Sequence, residues 1–184
     1  MSDVVIDDRP VLLEARGVEK SYQVGSEPLP VLQGVELQIR EGEILAILGK
    51  SGCGKSTLLH VLGWLDRPDV GQVFYEGRDH AMLPATERAR LRNLTMGFIF
   101  QFYHLLRELT ALENTMLPAK IRYSIGDWRK HRSEVSDRAS NLLETVGLGE
   151  RMEHRPSQLS GGEREPERER PERVGHLEFD RPDP

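Results

Sequence analysis

Nine consecutive residues, Gly49-Lys50-Ser51-Gly52-Cys53-Gly54-Lys55-Ser56-Thr57, are of the types and spacing that hold a polyphosphate. They fit the pattern G-x-x-x-x-G-K-[ST]. A triphosphate is a dense negative charge that must be matched without crowding. Gly49, Gly52 and Gly54 allow tight bends that aim several backbone N–H groups at one anion. Lys55 adds a cation for the outer phosphates, and the Ser56 hydroxyl is a ligand for Mg²⁺. Cys53, the only cysteine, takes a variable position of the loop. One cysteine allows no internal disulfide and no multi-cysteine metal site, which fits a reducing compartment.

A strand and a helix must position this loop. Glu43-Ile44-Leu45-Ala46-Ile47-Leu48 is an apolar run suited to a buried strand. Lys55 to Leu62 reads as a helix with Leu58, Leu59 and Leu62 on its core side and Gly63 as its stop. That order places the phosphates at a helix N-terminus, where the dipole favours anions. Upstream, Val11–Ala15, Val31-Leu32 and the alternation of Val35, Leu37 and Ile39 predict strands, with a loop at Gly25, Pro28 and Pro30. Downstream, Val73-Phe74-Tyr75 predicts a short strand. Thr86 is a candidate cap for a helix reaching about Arg92. Met96–Phe100 predicts an apolar strand ending in Gln101. From about Phe102 the chain reads as helical. Val135, Ala139, Leu142, Leu143 and Val146 share one helix face, and Gly147 ends it.

Composition narrows the class. The chain has 184 residues, 38% hydrophobic and 30% charged, with net charge −5. Such a balance suits one globular α/β unit with a subdomain, and its mildly acidic total gives no nucleic-acid footprint. No apolar run is long enough to span a membrane, and the acidic start lacks a signal peptide's features. The histidines lack metal-ligand spacing, so no metal beyond nucleotide-borne Mg²⁺ is expected.

A second motif, Leu159-Ser160-Gly161-Gly162-Glu163, follows the loop and Gln101. With these three in order, the chain resembles an ATP-binding-cassette (ABC) transporter ATPase from about Val11 to Arg164. Within that superfamily it is most similar to the ATP-binding subunits of lipoprotein-releasing systems, with macrolide-exporter ATPases as near relatives. The segments carrying that likeness are Ser56–Asp66, Gly97–Leu106, Leu109–Asn114 and His154–Arg164.

The resemblance implies an ABC-type ATPase domain over residues 1–163, with an N-terminal antiparallel β region and a helical subdomain at about 102–162. It implies ATP and Mg²⁺ as ligands. Tyr22 matches the aromatic that stacks on adenine; a strand-edge tyrosine is the plain alternative. Gln101 matches the glutamine that reaches Mg²⁺ and the attacking water. Phe102, Tyr103, Leu105 and Leu106 match the surface that grips a transmembrane permease, unless they are core. Ser160, Gly161 and Gly162 match the signature that meets ATP held by a second copy of the chain, so a head-to-tail homodimer is implied. The implied location is cytoplasmic, peripheral on the inner face of the inner membrane.

After Arg164 the family pattern is lost. Of the 21 residues after Glu163, 16 are charged or proline, a composition that predicts a disordered tail over 164–184. The family would continue with a helix, an apolar strand ending in Asp-Glu, and a later switch histidine. Pro166 and Pro171 would break that helix. Leu177-Glu178-Phe179-Asp180-Arg181-Pro182 echoes the missing strand, but it is short and weakly apolar, and Arg181 stands where a catalytic Glu belongs. The expectation is a C-terminally incomplete, hydrolysis-defective cassette, with a non-hydrolysing nucleotide-binding and docking module or a nonfunctional fragment as the alternative, whose tail derives from a frameshift, a gene-model error or a decayed gene. Without flanking strands, Ile44, Leu45 and Ile47 are expected to be poorly covered and the chain to be marginally stable.

Overall fold

The computed structural model describes residues 8–80, 83–101, 104–159 and 175–178. It divides into two units, one of residues 1–94 with 171–184 and one of residues 95–170.

The first unit is built on a long antiparallel hairpin. Strands β1 (Val11–Val24) and β2 (Glu27–Arg40) pair from Val11 opposite Arg40 to Val24 opposite Glu27. The turn between them uses Gly25 at φ 66°, a left-handed geometry that favours glycine. Pro28 and Pro30, expected in a loop, lie inside β2 opposite Gln23 and Ser21. The sheet order β2-β1-β4-β5 makes β2 an edge strand, where a residue without N–H costs no ladder bond on the open side. Strand β4 (Val70–Tyr75) pairs with the other edge of β1, and β5 (Arg78–Asp79) with β4. Where β4 meets β1, a Cβ on Gly71 would lie 2.3 Å from the Gly17 carbonyl oxygen. Only glycine allows that approach.

Strand β3 (Leu45–Leu48) feeds the phosphate loop, and helix α1 (Lys55–Leu62) leaves it. The predicted helix bounds and the Gly63 cap are observed. Its buried side chains are Leu58, Val61 and Leu62, whereas Leu59 is 53% exposed. Eight residues hold too little periodicity to fix the phase of the helix, so Leu59 was the wrong neighbour to place inside. Leu58 and Val61 join Ala15, Val18, Leu32, Trp64 and Val73 in the most deeply buried core of the unit.

Two further elements correct the sequence reading. Helix α2 (Ala85–Thr95) begins before Thr86, so Thr86 lies in its first turn and does not cap it; Arg88 N–H bonds the Pro84 carbonyl. Strand β6 (Gly175–Glu178) runs parallel to β3, with Leu45 opposite Gly175 and Leu48 opposite Glu178. It overlaps the segment Leu177–Pro182, which from its composition is too short and too weakly apolar for a buried strand. Pairing on an open edge requires backbone groups alone, which a short polar segment supplies as well as an apolar one.

The second unit is helical. Helix α3 (Ala111–Arg122) starts at a capping box in which Thr110 Oγ1 accepts from Glu113 N–H and Glu113 accepts from Thr110 N–H. Helix α4 (Ile125–Thr145) is capped by Ser124, whose Oγ accepts from Asp127 N–H. Ala111, Leu143 and Leu159 form a small core with Leu112, Leu148 and Met152 around it. Of the predicted α4 face, Ala139 and Leu143 are buried, but Leu142 and Val146 are each 54% exposed. Gly147 follows the helix at φ 75°, the left-handed stop expected of it. The expected strand at Met96–Phe100 is absent; among the described residues the segment belongs to no helix or strand.

Candidate functional site

The phosphate loop bends at its three glycines, Gly49 (φ 151°), Gly52 (φ 80°) and Gly54 (φ 101°). Gly54 is also a packing requirement. A Cβ there would meet the Val31 backbone oxygen and side chain at 3.0 Å, so the loop rests directly on β2. Gly52 has nothing within 4 Å of its Cβ direction, which leaves room on that side. Helix α1 has Gly54 as its N-cap and no side-chain cap. The N–H groups at its start are therefore available to an anion rather than to a capping oxygen.

Lys55 reaches back over the loop, its Nζ donating to the Gly49 and Lys50 carbonyls at 2.7 Å each, with Cys53 Sγ at 3.7 Å. The ammonium is thereby centred over the concave side of the loop. Cys53 is buried and fills space beneath it. Ser51 and Ser56 are exposed and Thr57 is half-buried. Glycine bends, a central ammonium, an uncapped helix start and an exposed Ser56 hydroxyl suit a phosphate group with its divalent cation.

Tyr22 lies near the end of β1, 38% exposed. Sequence reasoning missed the network that holds it. Its hydroxyl donates to Asp66 Oδ2 at 2.9 Å. Lys20 lies 5.5 Å from the ring centroid, donates to the Arg67 carbonyl (2.7 Å) and Asp69 Oδ1 (3.1 Å), and pairs with Asp66 at 3.3 Å. Asp69 Oδ2 accepts from Ser21 N–H at 2.7 Å. The turn after α1 is thus fastened to β1 by charge-assisted bonds, and one face of the Tyr22 ring is set against a cation. A buried lysine two positions before a tyrosine was the only signal, and only an acidic turn many residues away gives it meaning.

The electrostatics agree with the bonding. Burial raises the Tyr22 pKa, and the Asp66 bond raises it further, against an opposing pull from Thr57. Burial works against ionised Asp66, but Tyr22, Arg67 N–H and Lys20 outweigh it and hold its pKa below the ordinary value. Asp69 is held low chiefly by Ser21 N–H. Burial opposes the Lys20 charge, and its two carboxylates overcome that and raise its pKa.

Gln101 is exposed at a bend in the second unit. Near it Phe98 and Phe100 stack at 5.7 Å, and His104 meets Phe100 edge-on at 4.8 Å. Leu106 is 46% exposed and Leu105 half-buried, so this stretch presents apolar surface. Phe102, Tyr103, Ser160, Gly161 and Gly162 lie outside the described residues.

The loop, its strand and its helix sit inside a longer match. Residues 32–166 match the model of the ABC transporter family. The chain belongs to that family. It is 47% identical over 154 residues to the lipoprotein-releasing system ATP-binding protein LolD 2 of Caulobacter vibrioides, covering 84% of this chain and 65% of that protein. It is 50% identical over 151 residues to LolD of Bdellovibrio bacteriovorus, covering 82% and 66%. Among solved structures, the dimeric bacterial ABC transporter cassette MJ0796 superposes with a TM-score of 0.73 at 36% identity, over 83% of this chain and 65% of that one. A post-hydrolysis dimer of that cassette bound to ADP and Pi superposes equally well. This ABC chain therefore spans just under two thirds of the length of these relatives.

Proposed function

We propose that the chain is the ATP-binding subunit of an ABC transporter that releases lipoproteins from a membrane. The observation that supports this best is the glycine-bent loop between β3 and α1, with Lys55 centred over it. In this reading the loop N–H groups and Lys55 hold the phosphates, Ser56 and Gln101 serve the Mg²⁺, and Tyr22 carries the adenine on its ring face. Two copies pair head to tail, so that Ser160, Gly161 and Gly162 of one meet the nucleotide of the other. The apolar stretch around Leu105 and Leu106 docks on a transmembrane permease, and the subunit is peripheral to the membrane. Among the described residues no helix is long and apolar enough to cross a bilayer.

A narrower reading concerns turnover. Residues 164–184 contain no apolar run ending in adjacent Asp and Glu, the pair that in the family positions Mg²⁺ and polarises the attacking water. This supports reading residues 1–184 as a nucleotide-binding and docking module without the family's hydrolytic carboxylate pair. Titration with a fluorescent ATP analogue tests the first reading: Lys55→Ala should weaken binding roughly 100-fold, and equal affinity would refute it. Phosphate release by the chain reconstituted with permease tests the second, and turnover above background would overturn it.

A further inference from the structure

The junction of α3 and α4 carries an unusual concentration of positive charge for a chain of net charge −5. Between Lys120 and Arg132 stand Lys120, Arg122, Arg129, Lys130 and Arg132, with Asp127 as the only carboxylate. All five cations are exposed. Asp127 does not neutralise them: it caps α4 through Ser124 and meets Lys130 only at 3.8 Å. The other four have no carboxylate partner among the described residues.

The same junction exposes apolar and aromatic groups. Ile121 is 70% exposed, the highest value among the large apolar residues that stand out from the described surface. Beside it Tyr123 stacks on His131 at 4.6 Å and 13°, Trp128 lies 6.5 Å from Tyr123, and Arg122 sits 6.0 Å from the Tyr123 ring. Tyr123 and Trp128 are half-buried, with their rings braced by the helix junction. An ordinary solvated helix end carries mixed charges and no protruding isoleucine. Predominantly positive charge, against which stand only Asp127 and Glu134, the latter paired with His131 at 3.4 Å, around an aromatic pair and an exposed aliphatic side chain matches the water–bilayer boundary, where cations meet anionic headgroups and amphipathic rings settle at headgroup depth.

We propose that the α3–α4 junction is a lipid-contact surface that seats the subunit on an anionic phospholipid bilayer. The cations draw the chain to the headgroups, and Ile121 enters the acyl boundary. The contact is independent of any permease and of nucleotide, and it does not rest on the ATP-binding reading. Each cation near such a surface contributes on the order of a several-fold gain in binding, so several together give a measurable but salt-sensitive attachment.

Vesicle co-flotation of the 184-residue chain tests this, with vesicles of phosphatidylcholine alone and of phosphatidylcholine with one third phosphatidylglycerol. The expected result is flotation with the anionic vesicles only, abolished by 0.5 M salt. The triple variant Arg129→Glu, Lys130→Glu, Arg132→Glu should bind at least about 30-fold more weakly, and Ile121→Ser roughly 5-fold more weakly. Circular dichroism and thermal unfolding measured on the same samples confirm that each variant is folded. Equal flotation with neutral vesicles, no flotation with anionic ones, or a charge-reversal variant that still floats would overturn the proposal. So would binding to an acidic polypeptide in the absence of binding to anionic vesicles.

Discussion

Strand β1 carries Tyr22 and runs between two antiparallel partners, β2 and β4. Strand β3 carries the phosphate loop and, among the described residues, pairs only with the four-residue β6. Ala15 and Val18 of β1 are at most 1% exposed, while β3 is half-buried and its last residue, Leu48, is 50% exposed. The Tyr22 side of the candidate site is therefore held by a sheet, a core and an ion network. The phosphate side is held mainly by bonds inside the loop and by Gly54 resting on β2. A parallel strand usually gains its stability from cover on both faces, which β3 has only in part. Stability is concentrated where the chain is most locally paired, and the chemistry depends on the less well covered strand.

The largest expected effect strikes the better-held side. Gly71→Ala sets a Cβ against the Gly17 carbonyl at a φ of 86° and should cost at least about 4 kcal/mol. Denaturant unfolding measures it, and a loss below 1 kcal/mol would show that the β1–β4 crossing is pliable. Next comes Lys20→Met, which leaves Asp66 and Asp69 without their shared cation. It should cost about 2 kcal/mol and weaken nucleotide binding by misplacing Tyr22.

Acid should act on the same network with a smaller effect. Asp66 and Asp69 have folded pKa values below their ordinary ones. Their contribution is present above the unfolded pKa of about 3.9 and disappears as pH falls through the lower folded values. Lys20, raised in the fold, contributes below its unfolded pKa of about 10.4 and ceases to do so as pH rises through its folded value. Stability should thus be level across neutral pH and fall below about pH 4; in Lys20→Met the acid limb should be shallower.

The smallest effect belongs to β6. In a strand, successive N–H groups point to opposite edges, so His176→Pro with Leu177→Pro removes one donor to β3 whichever edge it faces. The expected loss is about 1 kcal/mol by thermal unfolding. A loss as large as that for Gly71→Ala would mean that β6 is as essential to the fold as β4.

These contrasts track what the chain made readable. The phosphate loop, the bounds of α1 and its Gly63 stop were legible because each is fixed by neighbours a few residues away. The β1–β2 hairpin was legible in its apolar positions but not at Pro28 and Pro30, since edge position is a property of the sheet and not of the segment. Met96–Phe100 has the composition of a strand without its pairing, and a continuous apolar run carries no phase to decide the matter. Gly175–Glu178 pairs through backbone groups, which leave no mark on residue type. The Lys20–Asp66–Asp69 network joins a strand to a turn far along the chain, so no local pattern announces it.

Lys55 gives the loop a built-in competitor. Its ammonium is already engaged by the Gly49 and Lys50 carbonyls, so an arriving phosphate does not simply gain a cation. It must exchange two internal bonds for new ones, and the affinity measured is the difference between them. The same two bonds keep the loop arched before anything arrives. Loosening them would quicken capture by the lysine while surrendering the shape that makes capture selective.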